Sequence, residues 1–278
     1  NSVRISNRPY VRSIELDLRN PVDPFADAVL IAAIETDGDE FEVEPEEAYV
    51  VIKSLPCLGD WPEGLKINAG KVRAPIGIVN RVHKHDLMWT THPLAIANYL
   101  GTEGGDFFES GFNPVGVDFD FFLPFGILKD STLSMNVDLY KPSDIRIAQG
   151  VRNQSPAFLT RLQWFYPFAD NTELTIGGNI YYERGMTRAF LASTDVLFKW
   201  VPLEKSRERS IVLGGEYFFT SRRRPIDESF FVSRAAGWFL FCQYQFSPGT
   251  YFGLRFDNFE PIELPTSDIW SYSAYLSY

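Results

Sequence analysis

Residues that carry most enzyme and metal chemistry are scarce in this chain. It has two cysteines, three histidines and three methionines in 278 residues. Cys57 and Cys242 are too few for a disulfide framework and match no metal-ligand spacing. Basic residues are in deficit, 26 Lys and Arg against 36 Asp and Glu, for a net charge of −10. That balance excludes a nucleic-acid partner, whose phosphates need a basic surface. The opening "NSVRISNRPY" lacks the apolar core of a signal peptide and reads as a mature or trimmed start. A long membrane helix is missing too. Ala235 to Leu254 carries no charge over a length that could span a bilayer. Yet Gln243, Gln245 and the run Ser247-Pro248-Gly249 would break a helix in its middle, so the segment reads as two short strands.

Aromatic bulk is plentiful. Phe, Tyr and Trp make up 15% of the chain, while mean hydropathy is only −0.13 and charged residues reach 22%. Apolar and polar residues are therefore interleaved, and the interleaving has a period of two. Val115, Val117, Phe119, Phe121 and Leu123 alternate with Gly116, Asp118, Asp120 and Phe122. Leu133, Met135, Val137 and Leu139 alternate with Ser134, Asn136, Asp138 and Tyr140. Leu174, Ile176, Gly178, Ile180 and Tyr182 alternate with Glu173, Thr175, Gly177, Asn179 and Glu183. Successive side chains of a strand face opposite sides of a sheet, so each segment has one apolar and one polar face.

A soluble sandwich gives the same alternation. Three features favour a transmembrane barrel. The segments run to about ten residues, the length of a tilted membrane strand. Aromatics such as Trp164 with Tyr166, Trp200, and Trp270 with Tyr272 lie near their ends, as interfacial girdles do. Compact, mostly proline-bearing turns also alternate with longer polar loops: 36–44, 81–111, 141–155, 221–234 and 258–268. Turns on one side and loops on the other predict an outer-membrane barrel with periplasmic turns and extracellular loops.

Thirteen strands are predicted near 10–19, 26–35, 46–54, 65–79, 113–123, 131–140, 157–166, 172–183, 190–201, 210–220, 235–246, 251–257 and 269–278. Bacterial barrels normally have an even number. "NSVRIS" then reads as the remnant of a further strand, giving about 14, with 12 as the alternative. The fold class is all-β, a transmembrane antiparallel up-and-down β-barrel, with residues 1–278 forming a single domain.

The runs "VDPFADA" (22–28), "GKVRAPIGIVNRVHKHDL" (70–87), "HPLAIANYLGTEG" (92–104) and "GVDFDFFLP" (116–124) carry a family likeness. Over residues 14–124 the chain resembles a group of Gram-negative outer-membrane proteins labelled porin-like or zinc-regulated TonB-dependent-receptor-like. The shared pattern is a Gly-Lys strand with a downstream Gly and Asn, then a loop bearing His-x-His and Leu-Gly-x-Glu-Gly. Here those positions are Gly70, Lys71, Gly77, Asn80, His83, His85, Leu100, Gly101, Glu103 and Gly104. The resemblance implies an outer-membrane location and no established activity.

The alternation also places Asp118, Asp120, Asn136, Asp138, Arg161, Glu173, Asn179, Asp195, Lys199, Glu216 and Arg255 on the inner face. Inward ionisable groups require water or partners. The expected function is a porin-like channel for small solutes or ions, cation-preferring because inward acids outnumber bases. The alternatives are a structural or adhesive barrel plugged by paired charges, and a metal-binding uptake component. The loop 81–111 is long enough to fold inwards. An enzyme is set aside, since no serine in a turn context accompanies the histidines. Expected partners are outer-membrane lipid and lipopolysaccharide, with a homo-oligomer or a periplasmic partner left open. No cofactor is expected, with one reservation. His83, His85 and His92 form a cluster that suits zinc, with Asp86 or Glu103 able to complete it. The other reading is ordinary loop histidines bonded to backbone carbonyls.

Overall fold

A computed structural model describes residues 13–37, 40–55, 64–83, 86–89, 91–101, 111–123, 127–142, 145–148, 155–185, 187–226, 229–263 and 267–278. Thirteen antiparallel strands form one sheet in strict chain order. They are β1 (Ser13–Asp23), β2 (Ala26–Asp37), β3 (Glu40–Ile52), β4 (Lys66–Lys71), β5 (Val115–Leu123), β6 (Thr132–Tyr140) and β7 (Ala157–Ala169). There follow β8 (Thr172–Arg184), β9 (Arg188–Trp200), β10 (Ser210–Ile226), β11 (Ser229–Ser247), β12 (Thr250–Phe259) and β13 (Ile269–Ser277). Each predicted segment is a strand. The uncharged run at 235–254 is the end of β11 and the start of β12, joined through a turn at Gly249 with φ +73°. No helix among the described residues is long and apolar enough to cross a membrane; the crossing is made by strands.

The sheet wraps round its own loops. Within residues 73–94, Arg73 reaches β3, His83 reaches β1, Ile78 reaches β10 and Leu94 reaches β12. One short segment can touch strands one, three, ten and twelve only if the sheet curls round it as a barrel. Among the described residues no pairing joins β1 to β13. The predicted fourteenth strand, "NSVRIS", lies outside the described residues.

The packing is inside out relative to a water-soluble protein. Leu162, Ile180, Val196, Leu213, Tyr217, Leu240 and Phe256 are exposed on the outer face, while Arg161, Asp195, Glu216 and Arg255 are buried on the inner one. Such an exterior is stable against hydrocarbon and costly against water, so the barrel belongs in the bacterial outer membrane. Trp164 stacks on Tyr166 at 5.5 Å and Trp238 meets Trp270 edge-on at 5.8 Å, as interfacial aromatics do. Leu213→Arg is therefore expected to block assembly, at a cost of about 2–4 kcal/mol for a charge facing lipid. Asn136→Arg, which places a guanidinium among inward carboxylates, should be tolerated. Folded yield in detergent, read by circular dichroism, distinguishes the two faces.

The strict alternation of short turns and long loops does not hold. β2–β3, β8–β9 and β10–β11 are joined by short links on the loop side. There the strands themselves lengthen: β10 has 17 residues and β11 has 19. At roughly 3.3 Å per residue they exceed the hydrocarbon core of about 30 Å even when tilted, so the hairpin stands out of the membrane. The second departure is β4. Predicted over 65–79, it stops at Lys71, and residues 72–83 and 91–101 turn inwards.

Candidate functional site

Backbone geometry starts the inward turn. Gly70 has φ +141°, and a Cβ there would lie 2.2 Å from the Ala48 carbonyl oxygen, so only glycine lets β4 approach β3 this closely. Lys71 Nζ donates to the Pro45 carbonyl at 2.8 Å. Val72 and Ala74 still pair with the returning chain, donating to Pro114 and Phe112 carbonyls at 3.0 Å. Asn80 then ties the two ends together. Its Nδ2 donates to the Ala74 and Phe112 carbonyls at 2.9 and 3.2 Å, and its Oδ1 accepts from Phe112 N at 2.7 Å.

Glu216 on β10 is the main anchor across the lumen. It accepts from the backbone N–H of Ile78 and from that of Val79 at 3.1 Å. Gly77 makes this approach possible: its φ is +65°, and a Cβ would fall 2.4 Å from the Glu216 carboxylate. The second anchor is on β12. Arg255 donates to the Thr91 carbonyl at 2.5 Å and pairs with Asp257 at 2.9 Å, while Asp257 accepts from Leu94 N at 3.3 Å. A short helix, α1 (Leu94–Tyr99), follows. The Tyr99 hydroxyl lies 2.7 and 2.8 Å from the carbonyls of Ala236 and Glu260. From the next loop, Arg146 donates to the Ala97 carbonyl at 3.1 Å. Apolar packing completes the docking: Ile76, Ile96, Leu100 and Phe112 are buried against Tyr140, Tyr181, Leu191, Phe218 and Phe239. This packing occupies much of the loop-side half of the lumen.

A third anchor joins the segment to the opposite wall. His83 Nε2 lies 3.0 Å from Glu47, and its Nδ1 lies 3.2 Å from Glu15 and 3.5 Å from Glu46. Arg73 sits among the same carboxylates, 3.2 Å from both Glu46 and Glu47. Hydrogen bonding to Glu46, and then to Glu47, raises the His83 pKa to about 9. The imidazolium therefore stabilises the fold fully below about pH 6.5, its ordinary value, and that stability is lost as the pH rises through about 9. The unfolding temperature should fall between pH 7 and 9.5 by more in the unmodified protein than in His83→Gln. Parallel curves for the two would remove this role.

The predicted metal cluster is distributed differently. His85 and Glu103 lie outside the described residues. Asp86 is exposed and His92 is buried near the second anchor. The group of metal-ligand type among the described residues is Glu15, Glu46 and His83, whose ligand atoms lie within 4.8 Å of one another.

The predicted inner-face residues form a belt at mid-height. Asp118, Asn136, Asp138, Arg161, Asn179, Asp195, Glu216 and Arg255 are all buried. Part of the belt is fully paired. Arg161 makes a bidentate pair with Asp195 at 2.7 and 2.9 Å and reaches Asn179 Oδ1 at 2.8 Å. Part is not. Asp118 lies directly opposite Asp138, and Asp120 opposite Asn136. Asp120 accepts from the side-chain amides of Asn136 and of Asn68, the latter at 3.2 Å. Both oxygens of Asp138 and Oδ1 of Asp118 lack a hydrogen bond of good geometry, with the Tyr140 hydroxyl beside both carboxylates and the Phe119 N–H beside Asp138. Glu173 and Lys199 sit lower, about half exposed and 4.0 Å apart. They line a turn-side cavity of about 560 Å³ with Asn171, Thr172 and Ser206.

Several docking residues escape a reading by alternation. Glu46, Glu47, Arg73, Tyr99 and Arg146 act through the inward segment, and strand periodicity is silent about where a coil packs. The only sequence signal was the family likeness, which picks out Gly70, Lys71, Gly77, Asn80, Leu100 and Gly101 in this segment.

No protein-family model matches the chain, and no curated protein sequence does. Among solved structures it is similar to OmpT, an outer-membrane protein of Vibrio cholerae, in its in-vitro folded form. That match has a TM-score of 0.44 and 7% identity, covering 95% of this chain and 86% of the other. The trimer form of the same protein gives 0.42 and 8%, and the outer-membrane expressed form 0.43 and 8%, each covering 95% of this chain and 87% of the other. At these scores and identities the likeness transfers no activity, and the fold rests on the strand pairing itself. The exclusion of enzymes made from the sequence is withdrawn, and enzyme status is open. That exclusion rested on a missing serine–histidine pair, whereas buried carboxylates such as Asp138 and Glu216 can serve acid–base chemistry without one.

Proposed function

We propose that the chain is an outer-membrane channel for small solutes or ions, cation-preferring, narrowed by the inward segment at 72–83 and 91–101. The observation that carries this reading is the unpaired acidic trio on β5 and β6. A sealed plug would match every charge, as Arg161 matches Asp195 and Arg255 matches Asp257. Asp118, Asp120 and Asp138 have no lysine or arginine within ion-pair distance among the described residues. Inward carboxylates in that state call for water or a mobile cation. Positive charge reaches Asp118 from Arg81, on the inward segment and exposed, and Asp120 from Arg81 and from Lys66 on β4.

Carboxylates lining a narrow path attract cations and repel anions, because the low-dielectric wall focuses their field. The reversal potential across a salt gradient should be cation-selective. It should move towards zero in Asp118→Asn with Asp120→Asn, and the selectivity should weaken as screening shortens to about 3 Å at 1 M salt. An anion-selective value would sink the assignment. The second reading, a plugged structural barrel, draws on the apolar filling of the loop-side half, and zero conductance would favour it. The zinc expectation now centres on His83 with Glu15 and Glu46. Its test is a zinc-dependent rise in unfolding temperature that His83→Ala abolishes.

A further inference from the structure

The outer wall of β8–β11 carries a row of arginines at its loop-side rim. Arg184 lies directly opposite Arg188, and Arg188 directly opposite Arg223. Arg234 sits one row lower, opposite Ser221. All four point outwards, because their neighbours Glu183, Ala189, Arg222 and Ser233 are buried on the inner face. Side chains directly opposite on neighbouring strands stand about 5 Å apart, and like charges there are mutually destabilising. Among the described residues no carboxylate lies within ion-pair distance of any of the four. In a chain of net charge −10 this is a concentration of positive charge without an anionic partner among the described residues, with the Arg223 guanidinium resting over the Phe230 ring at 3.9 Å. Arg188 and Arg223, with Gly185, Pro225 and Phe230, line a cavity of about 260 Å³.

What lies below the row is apolar. Tyr182, Phe190, Phe219 and Ile180 continue the same face towards the membrane centre, with Phe190 and Phe219 in edge contact at 6.4 Å. Further down, the missing side chain of Gly215 opens a groove of about 640 Å³ walled by Val196, Leu213, Tyr217, Trp238 and Leu240. From Arg223 to Tyr217 is six residues, about 20 Å along a strand at roughly 3.3 Å each. Tilted by about 40°, that distance descends about 15 Å, the depth of one leaflet of a hydrocarbon core of about 30 Å.

We propose that this wall binds a phosphorylated lipid of the outer leaflet, its phosphate on Arg188 and Arg223 and an acyl chain in the groove over Gly215. Guanidinium groups match phosphate through paired N–H donors, and a dianion relieves the repulsion along the row. Flanking Arg184 and Arg234 add charge to the same headgroup. The site lies outside the lumen and stands whether or not the barrel conducts.

The test is the unfolding temperature of the detergent-solubilised barrel with lipid A, with dephosphorylated lipid A, and with inorganic phosphate. Lipid A should raise it by several degrees, because a ligand of the folded form stabilises by mass action. The dephosphorylated lipid and free phosphate should each do much less. Arg188→Gln with Arg223→Gln should lose most of the lipid A shift without lowering the lipid-free unfolding temperature. An equal shift with dephosphorylated lipid A would reduce the site to acyl packing. An equal shift with free phosphate would make it a small-anion site, and an undiminished shift in the double variant would overturn the arginine assignment. If that variant does not assemble, the three ligands compared on the unmodified protein decide the matter.

Discussion

Replacing Arg161 by alanine is expected to abolish assembly, or to leave a barrel unfolding at far lower denaturant. Arg161 and Asp195 are both essentially without solvent exposure. Removing the guanidinium strands a buried carboxylate directly opposite Glu216 in the strand register, so two acids face each other with no cation. Breaking a buried pair from one side costs about 3–5 kcal/mol. That is a large share of the roughly 5–15 kcal/mol by which folded proteins outlast their unfolded chains. Removing both charges, as in Arg161→Leu with Asp195→Leu, should restore most of the loss, since an apolar pair of similar bulk leaves no charge unmatched. Urea midpoints of the single and double variants give the answer. A single variant within about 1 kcal/mol of the unmodified protein would mean that the belt is hydrated and not paired.

The second large effect is expected from Glu216→Ala. This carboxylate holds the backbone N–H groups of Ile78 and Val79. Hydrogen bonds to a charged group contribute about 1.5–3 kcal/mol each, and leaving the donors buried without a partner adds to the loss. The barrel itself should persist, because β10 keeps its full pairing to β9 and β11. The inward segment should not. Residues 72–101 are expected to lose amide-exchange protection by a factor of ten or more while β8 and β9 keep theirs. Gly77→Ala should do the same from the other side, since its Cβ meets the same carboxylate. Unchanged protection across 72–101 in both variants would show that apolar packing alone docks the segment.

The strands were legible because a period of two needs no tertiary information: Asp118, Asn136, Arg161, Asn179 and Asp195 announce the inner face by alternation with Val117, Val137, Leu162, Ile180 and Val196. Their pairing was not. Arg161 meets Asp195 across two strand boundaries, and only the register decides which inward charge meets which. The β4 boundary failed for a related reason. Residues 72–79 continue an apolar and polar mixture that reads as strand, but Pro75 removes a backbone donor and Gly77 takes a left-handed turn. Loop length misled at β10–β11, where "SRRRPIDESFFVSR" is polar enough for a loop and yet pairs as a hairpin. The His83 latch depends on Glu15 and on Glu46 and Glu47, which approach it only once the barrel has curled. Local sequence holds no sign of that meeting.

Ion conductance of the purified barrel in a planar bilayer, measured beside Glu216→Ala, tests most directly whether a hydrated path lies behind the inward segment. Expected is a small cation-selective conductance in the unmodified protein and a several-fold larger one, still cation-selective, once the anchor is cut. No conductance in either protein, with the variant's segment shown to be released, would contradict it and leave a sealed barrel.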